Sequence, residues 1–376
     1  MGYVLQCGIF GMGFALIVLS LSKKSSWSLI LLLLLPIFGT KGCAITTVGN
    51  DAMAAACYVA FIGLIMCSRI IGNEVFRICI LITAFLLLWY GLIMRHNAAF
   101  CVSVLLVWAY RSLSYSVKRT VNLSFITIVW FYFLNFMILG ICHVEKSYPL
   151  KSPFSDDIVN ISILNGKWDD FCIEKQRETK RLLPAPHEVA KLSADVCNSF
   201  PSGLSPYEHI EDSEQRRIDY EQYKSAWFRV VSGNPKEYLT IKAFFFQQFL
   251  MAGRCLPFAS AYIKWKYPHV RILFDDIFDD WRQWCGFYFG INAFIPMLSY
   301  IVLLFVMYRV VLRREKFNST VYDSLFILAA NVMYMLTFTI FTLSATEERY
   351  YIITSSLSII GLALLILGLG EKKTNN

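Results

Sequence analysis

Four small groups of polar residues stand at the edges of long apolar blocks, where an unbalanced charge is costly unless something pairs with it or binds it. Asp51 follows the loop Lys41 to Asn50 and opens an apolar block. A carboxylate there can act as a base or hold a metal ion or a sugar hydroxyl; the plainer reading is a helix N-cap formed by Asn50 or Asp51. Arg95, His96 and Asn97 fill a tight connection between two blocks. An arginine offers a phosphate two parallel donors and keeps its charge, whereas the plainer reading is a snorkelling side chain beside a turn asparagine.

Asp156 and Asp157 come soon after another block, between Pro153 and the apolar pair Ile158 and Val159. Paired acids suit general acid/base work or a divalent ion, and the alternative is a solvated loop pair. Glu348, Arg349 and Tyr350 cap the connection before the last block. Guanidinium and ring together suit a polyprenyl phosphate at headgroup level; an interfacial aromatic belt with an ion pair is the alternative. Asp275, Asp276, Asp279 and Asp280 with Trp281 and Trp284 could hydrogen-bond and stack a sugar, or simply form a polar interfacial face.

The elements that must carry these groups follow from composition. The chain has 376 residues, 56% hydrophobic and only 16% charged, and its apolar residues come in blocks of about 20 rather than at alternating spacing. The fold class expected is an all-α integral membrane protein. Apolar blocks occur at about 3–21, 27–40, 52–68, 76–94, 98–110, 121–142, 286–308, 321–344 and 350–369, which makes about nine transmembrane helices. The organisation expected is a transmembrane region over 1–142, a polar loop domain over 143–285 and a second transmembrane region over 286–376.

Orientation follows from the short loops. Lys23, Lys24, Arg69, Arg77, Arg111, Lys118, Arg119, Arg309, Arg313, Arg314 and Lys316, with Lys372 and Lys373, fall on one set of alternate connections, and only Lys41, Arg95 and Arg349 on the other. The first set is expected in the cytoplasm with the C-terminus, so the loop domain and the four polar groups face outside, which for the inner membrane of a bacterium with an outer membrane means the periplasm. The same parity puts the N-terminus outside and implies an ancestral helix and loop ahead of Met1.

Within the loop domain, residues 236–263 read as an interfacial helix interrupted by Lys242, Gln247, Gln248, Arg254 and Pro257, with Phe244, Phe245, Phe246 and Phe249 dipping into lipid. Phe274 to Trp281 reads as a second one. Residues 173–224 read as loop or short surface helix.

Several function classes are excluded. The net charge of +8 is spread over block ends rather than gathered in one patch, so it points to membrane orientation and not to nucleic acid. Most cysteines sit inside apolar blocks without metal-ligand spacing, and no zinc site is expected; Cys172 and Cys197 could pair in an oxidising compartment. No Walker lysine loop, GxGxxG, Ser-His-Asp signature or HExxH is present.

With these residues laid out, the chain resembles a bacterial family of polytopic proteins related to GT-C-fold glycosyltransferases, which take sugars from polyprenyl-phosphate carriers. The resemblance rests on Gly49-Asn50-Asp51, Arg95-His96-Asn97, Asp156-Asp157-Ile158, the run Asn234 to Leu239, and Glu348-Arg349-Tyr350. It implies transfer of a sugar to an envelope glycan acceptor such as O-antigen or capsule; the residues offered for that reaction from their own positions are Asp51, Asp156 or Asp157 as the acid and Arg95 or Arg349 on the departing phosphate, with room for a divalent ion. The chain departs from the family in the first outer loop, where GT-C enzymes carry their catalytic acid; the family's acid therefore transfers to no residue here, and either Asp51 or Asp157 does the work or the copy is inactive. A polysaccharide-repeat polymerase and a transporter or flippase are the competing expectations.

Overall fold

The computed structural model describes residues 2–21, 50–95, 98–141, 154, 157–158, 161, 213–251, 297–341 and 351–371. Among them the regular structure is helical, with no strand. In chain order the helices are α1 (Gly2–Leu21), α2 (Asn50–Ser68), α3 (Glu74–Met94), α4 (Ala99–Ser112), α5 (Val117–Ile141), α6 (Ser213–Gly233), α7 (Pro235–Met251), α8 (Met297–Val311), α9 (Ser319–Phe341) and α10 (Tyr351–Glu371). Five of them, α2, α3, α5, α9 and α10, are long and apolar enough to cross a membrane. The expected block 27–40 and the segment Phe274 to Trp281 lie outside the described residues.

The chain divides into two compact units. The first comprises Met1–Asn135, Gly253–Leu336 and Glu348–Asn376; the second comprises Phe136–Ala252 and Thr337–Glu347.

In the first unit α2 is the central element. Of its apolar window 89% is buried, against 11% for α5, although both are apolar on every side. A helix apolar all round is stable only when protein or lipid surrounds it, and here α2 takes the first environment while the exposed rings of α5, among them Phe125, Trp130 and Phe136, suit the second. Small residues let neighbours come close to α2. A methyl group on Gly13 of α1 would sit 2.6 Å from the backbone nitrogen of Ala60, and Gly63 lies against the Gly13 carbonyl and the Leu16 side chain. Gly13 meets Ala60 and Leu16 meets Gly63, so α1 and α2 run parallel, backbone against backbone, as small residues allow in membranes.

The α3 helix returns antiparallel to α2, its Asn73 side chain capping the Phe76 amide. Tyr58 donates a 3.1 Å hydrogen bond to the Gly91 carbonyl, and a side chain at Gly91 would collide with the Tyr58 ring. α9 and α10 pair antiparallel through Ser324 to the Gly361 carbonyl (2.6 Å) and Asn331 to Ser358 (2.8 Å), with Ser299 of α8 joining Ser358 at 3.2 Å. Buried polar side chains in apolar helices thus find partners across helix boundaries.

The second unit is built around α6 and α7, separated by Asn234, whose side chain donates to the Val230 carbonyl while its backbone carbonyl accepts from Tyr238. Residues 213–224, expected as loop or short surface helix, form the first half of the 21-residue α6. The reason lies in its buried face: Tyr223, Trp227 and Val230 are buried and spaced to share one side of a helix, and the Trp227 ring packs against Phe154.

Candidate functional site

At the start of α2 the backbone amides of the first turn are unpaired within the helix and favour an acid, which Asp51 supplies. Its side chain is buried, and it is ion-paired with the Nε of Arg95. Arg95 is held in place by the end of α3, its own amide donating to the carbonyls of Gly91 (3.1 Å) and Leu92 (3.2 Å). Gly91 therefore serves three groups at once: its missing side chain admits the Tyr58 ring, and its carbonyl takes both the Tyr58 hydroxyl and the Arg95 amide. Two of the residues expected from sequence, Asp51 and Arg95, thus form one arrangement. The ion pair adds a contact that neither the N-cap reading of Asn50 or Asp51 nor the snorkelling reading of Arg95 includes.

In the second unit Asp157 is 1% exposed, so the solvated-loop alternative does not hold for it. One carboxylate oxygen lies 2.8 Å from the Nζ of Lys242, and the other accepts a 3.0 Å hydrogen bond from the indole of Trp227. Burial pushes the Asp157 carboxyl above the usual carboxylate range, and Lys242 and Trp227 offset that only in part. Lys242 lies 5.3 Å from the centre of the Tyr238 ring, and the Tyr238 hydroxyl donates to the Ile340 carbonyl at 2.6 Å. Burial and the neighbouring Asp157 raise the Tyr238 phenol too. Lys242 enters the sequence reading only as an interruption of an interfacial run; in the fold it is the counter-charge of a buried acid. A lysine recurring on the same helical face as Tyr238 was the available signal.

A third arrangement escapes the sequence reading altogether. Asp323, in the early part of α9, takes both terminal nitrogens of Arg69 at 2.7 and 3.0 Å, and accepts the Trp108 indole at 2.7 Å. Arg69 also bonds Ser112 and lies over the Trp108 ring. A lone acid inside an apolar block was the signal for it.

No family model, no curated protein and no solved structure matches the chain.

Asp156, His96, Asn97, Glu348, Arg349 and Tyr350 lie outside the described residues, as do Cys172, Cys197 and the acidic group Asp275, Asp276, Asp279 and Asp280. Among the described residues no group of three His, Cys, Asp or Glu side chains is placed to hold a metal ion. Of the three arrangements, the Asp323 group has its carboxylate saturated by Arg69 and Trp108, and the Asp157 carboxylate is enclosed between Lys242 and Trp227. The Asp51 and Arg95 side chains are 6% and 20% exposed, against 12% and 26% for Asp323 and Arg69, so exposure does not separate these two pairs; in the first the acid is ion-paired with the Arg95 Nε, in the second the acid is held by an arginine fork and an indole.

Proposed function

We propose that the protein is a membrane glycosyltransferase that moves a sugar from a polyprenyl-phosphate carrier to a bacterial envelope glycan, with Asp51 and Arg95 at its centre. The observation that carries this reading is their ion pair at the end of a buried apolar helix. A guanidinium already turned inward and held by a carboxylate is organised to take a phosphate instead. On this reading the carrier's phosphate displaces Asp51 from Arg95, and the freed carboxylate accepts the proton of the acceptor hydroxyl. That oxygen bonds to the anomeric carbon as the bond from carbon to the carrier's phosphate oxygen breaks, and Arg95 stabilises the negative charge that develops on the leaving phosphate.

Topology supports the same reading. On this reading the apolar block 27–40 is a further span between the parallel helices α1 and α2, one of about nine. Arg69, Trp108 and Asp323 converge, so the basic connections that follow α2 and α4 and precede α9 share one end of the first unit, and Asp51 with Arg95 takes the other. The positive-inside rule makes that other end periplasmic. In this scheme residues 143–285 face the acceptor.

A deletion strain complemented with wild type, Asp51→Asn or Arg95→Ala, with its purified envelope glycan analysed by mass spectrometry, tests the proposal. Loss of one sugar restored by wild type alone is expected. Intact glycan in the deletion strain would remove the proposal, and short chains of complete repeats would replace it with a repeat polymerase. A flippase, the reading that the buried polar ladder of Ser299, Asn331 and Ser358 favours, would instead leave lipid-linked precursor trapped on the cytoplasmic face.

A further inference from the structure

We infer that the end of the first unit opposite Asp51 carries a binding surface for the phosphate headgroups of anionic lipids, formed by the turn between α4 and α5 and the turn between α8 and α9. The inference is independent of any transferase activity. The Asp323 group ties both turns to one end of the unit, because Trp108 and Ser112 of α4 and Asp323 of α9 all meet around Arg69.

Charges at this end do not cancel. Among the described side chains three acids at this end are paired with an arginine: Asp323 with Arg69, Glu315 with Arg309, and Glu74 with Arg77. Arg111, Lys118, Arg119, Arg313, Arg314 and Lys316 are left with no carboxylate partner among the described residues, and all six are exposed. A count of basic loop residues would treat all of these cations alike, whereas the structure separates those already neutralised from those presented outward.

Their setting fits a lipid headgroup rather than a dissolved anion. Arg119 lies 4.8 Å from the centre of the Tyr115 ring, and Arg111 donates at 2.7 Å to the Tyr115 carbonyl. In the second turn Arg313 lies 5.8 Å from the Tyr308 ring. Rings of this kind hold guanidinium groups at the level of the headgroups. Exposed apolar side chains flank the cations, Val117 in one turn and Val311 and Leu312 in the other, and these are at home only where acyl chains begin. The two non-glycine residues with positive φ among the described residues, Ser114 and Arg314, fall one in each turn, where the Tyr115 amide donates to the Tyr110 carbonyl and the Glu315 amide to the Arg309 carbonyl and close the helix ends.

The test uses the full chain purified in a neutral detergent and exposed to phosphatidylglycerol or phosphatidylcholine, with bound lipid read by native mass spectrometry. Variants are Lys118→Gln with Arg119→Gln, and separately Arg313→Gln with Arg314→Gln; as exposed side chains they leave the helix packing untouched, and an unchanged thermal midpoint verifies it. Wild type is expected to retain phosphatidylglycerol over phosphatidylcholine in a salt-sensitive way, and retention is expected to weaken by about fivefold for each cation removed. Equal retention of the two lipids by wild type, undiminished retention by both variants, or release of the lipid by inorganic phosphate at equal concentration would overturn the inference.

Discussion

Asp157 and Lys242 form an ion pair across the second unit, 2.8 Å from oxygen to nitrogen, with side chains 2% and 5% exposed. An enclosed pair of this kind is strongly destabilised by removing one partner, because the other is left charged in a poor solvent. Lys242→Met is expected to lower the stability of the second unit at neutral pH by about 3 kcal/mol, measured by denaturant unfolding followed through Trp227 fluorescence.

The same pair has a pH signature. Since the folded Asp157 carboxyl holds its proton to higher pH than the unfolded chain does, its contribution to stability is complete in acid and is lost as pH rises through its raised value. Lys242→Met removes the main influence that lowers this value, so the loss extends further towards neutrality. The variant should therefore recover stability in mildly acidic buffer, and Asp157→Asn combined with Lys242→Met should abolish that recovery. A Lys242→Met profile parallel to wild type would show that another group neutralises the acid.

Asp51 and Arg95 can be separated into structural and chemical roles by exchanging them. Arg95→Ala is expected to reduce sugar transfer by about 10²-fold, as loss of one leaving-group stabiliser does. The exchange Asp51→Arg with Arg95→Asp keeps opposite charges in contact and should regain thermal stability relative to either single change. Transfer should stay lost, because the base and the phosphate-binding group have changed places. Recovery of transfer in the exchanged protein would mean that the pair is purely structural.

At the opposite end of α2, Asp323→Ala should release both the Arg69 guanidinium and the Trp108 indole. A drop of about 3 kcal/mol is expected for breaking this bidentate pair, with a shift in Trp108 emission, whereas Asp323→Asn keeps an acceptor for the indole and should show a smaller spectral change. Trp108→Phe provides the reference spectrum.

The crossing of α1 and α2 depends on absent side chains. Gly63→Val places atoms against the Gly13 carbonyl and the Leu16 side chain, so the helices must part. A loss of about 2 kcal/mol, read as a lower thermal midpoint in detergent, is expected. Gly8→Ala, which meets open space, should be silent.

Helix positions were legible in the sequence because the property that decides them is local. Blocks at 76–94 and 121–142 correspond to α3 and α5, since a run of apolar residues of that length has only helical ways to satisfy its backbone away from water. The burial of Lys242 and the full length of α6 were not legible for the opposite reason. Their surroundings come from distant segments, and a window of sequence holds no record of them.

What the sequence determined by itself is thus a set of apolar helices and the handful of charges that interrupt or border them. The tertiary structure decided which polar groups meet: Asp51 with Arg95 across 44 positions, Trp227 with Asp157 across 70, and Arg69 with Asp323 across 254. An isolated charge beside an apolar block has a known penalty but no known partner, and only the packing of small-residue helix faces brings a particular acid within reach of a particular base.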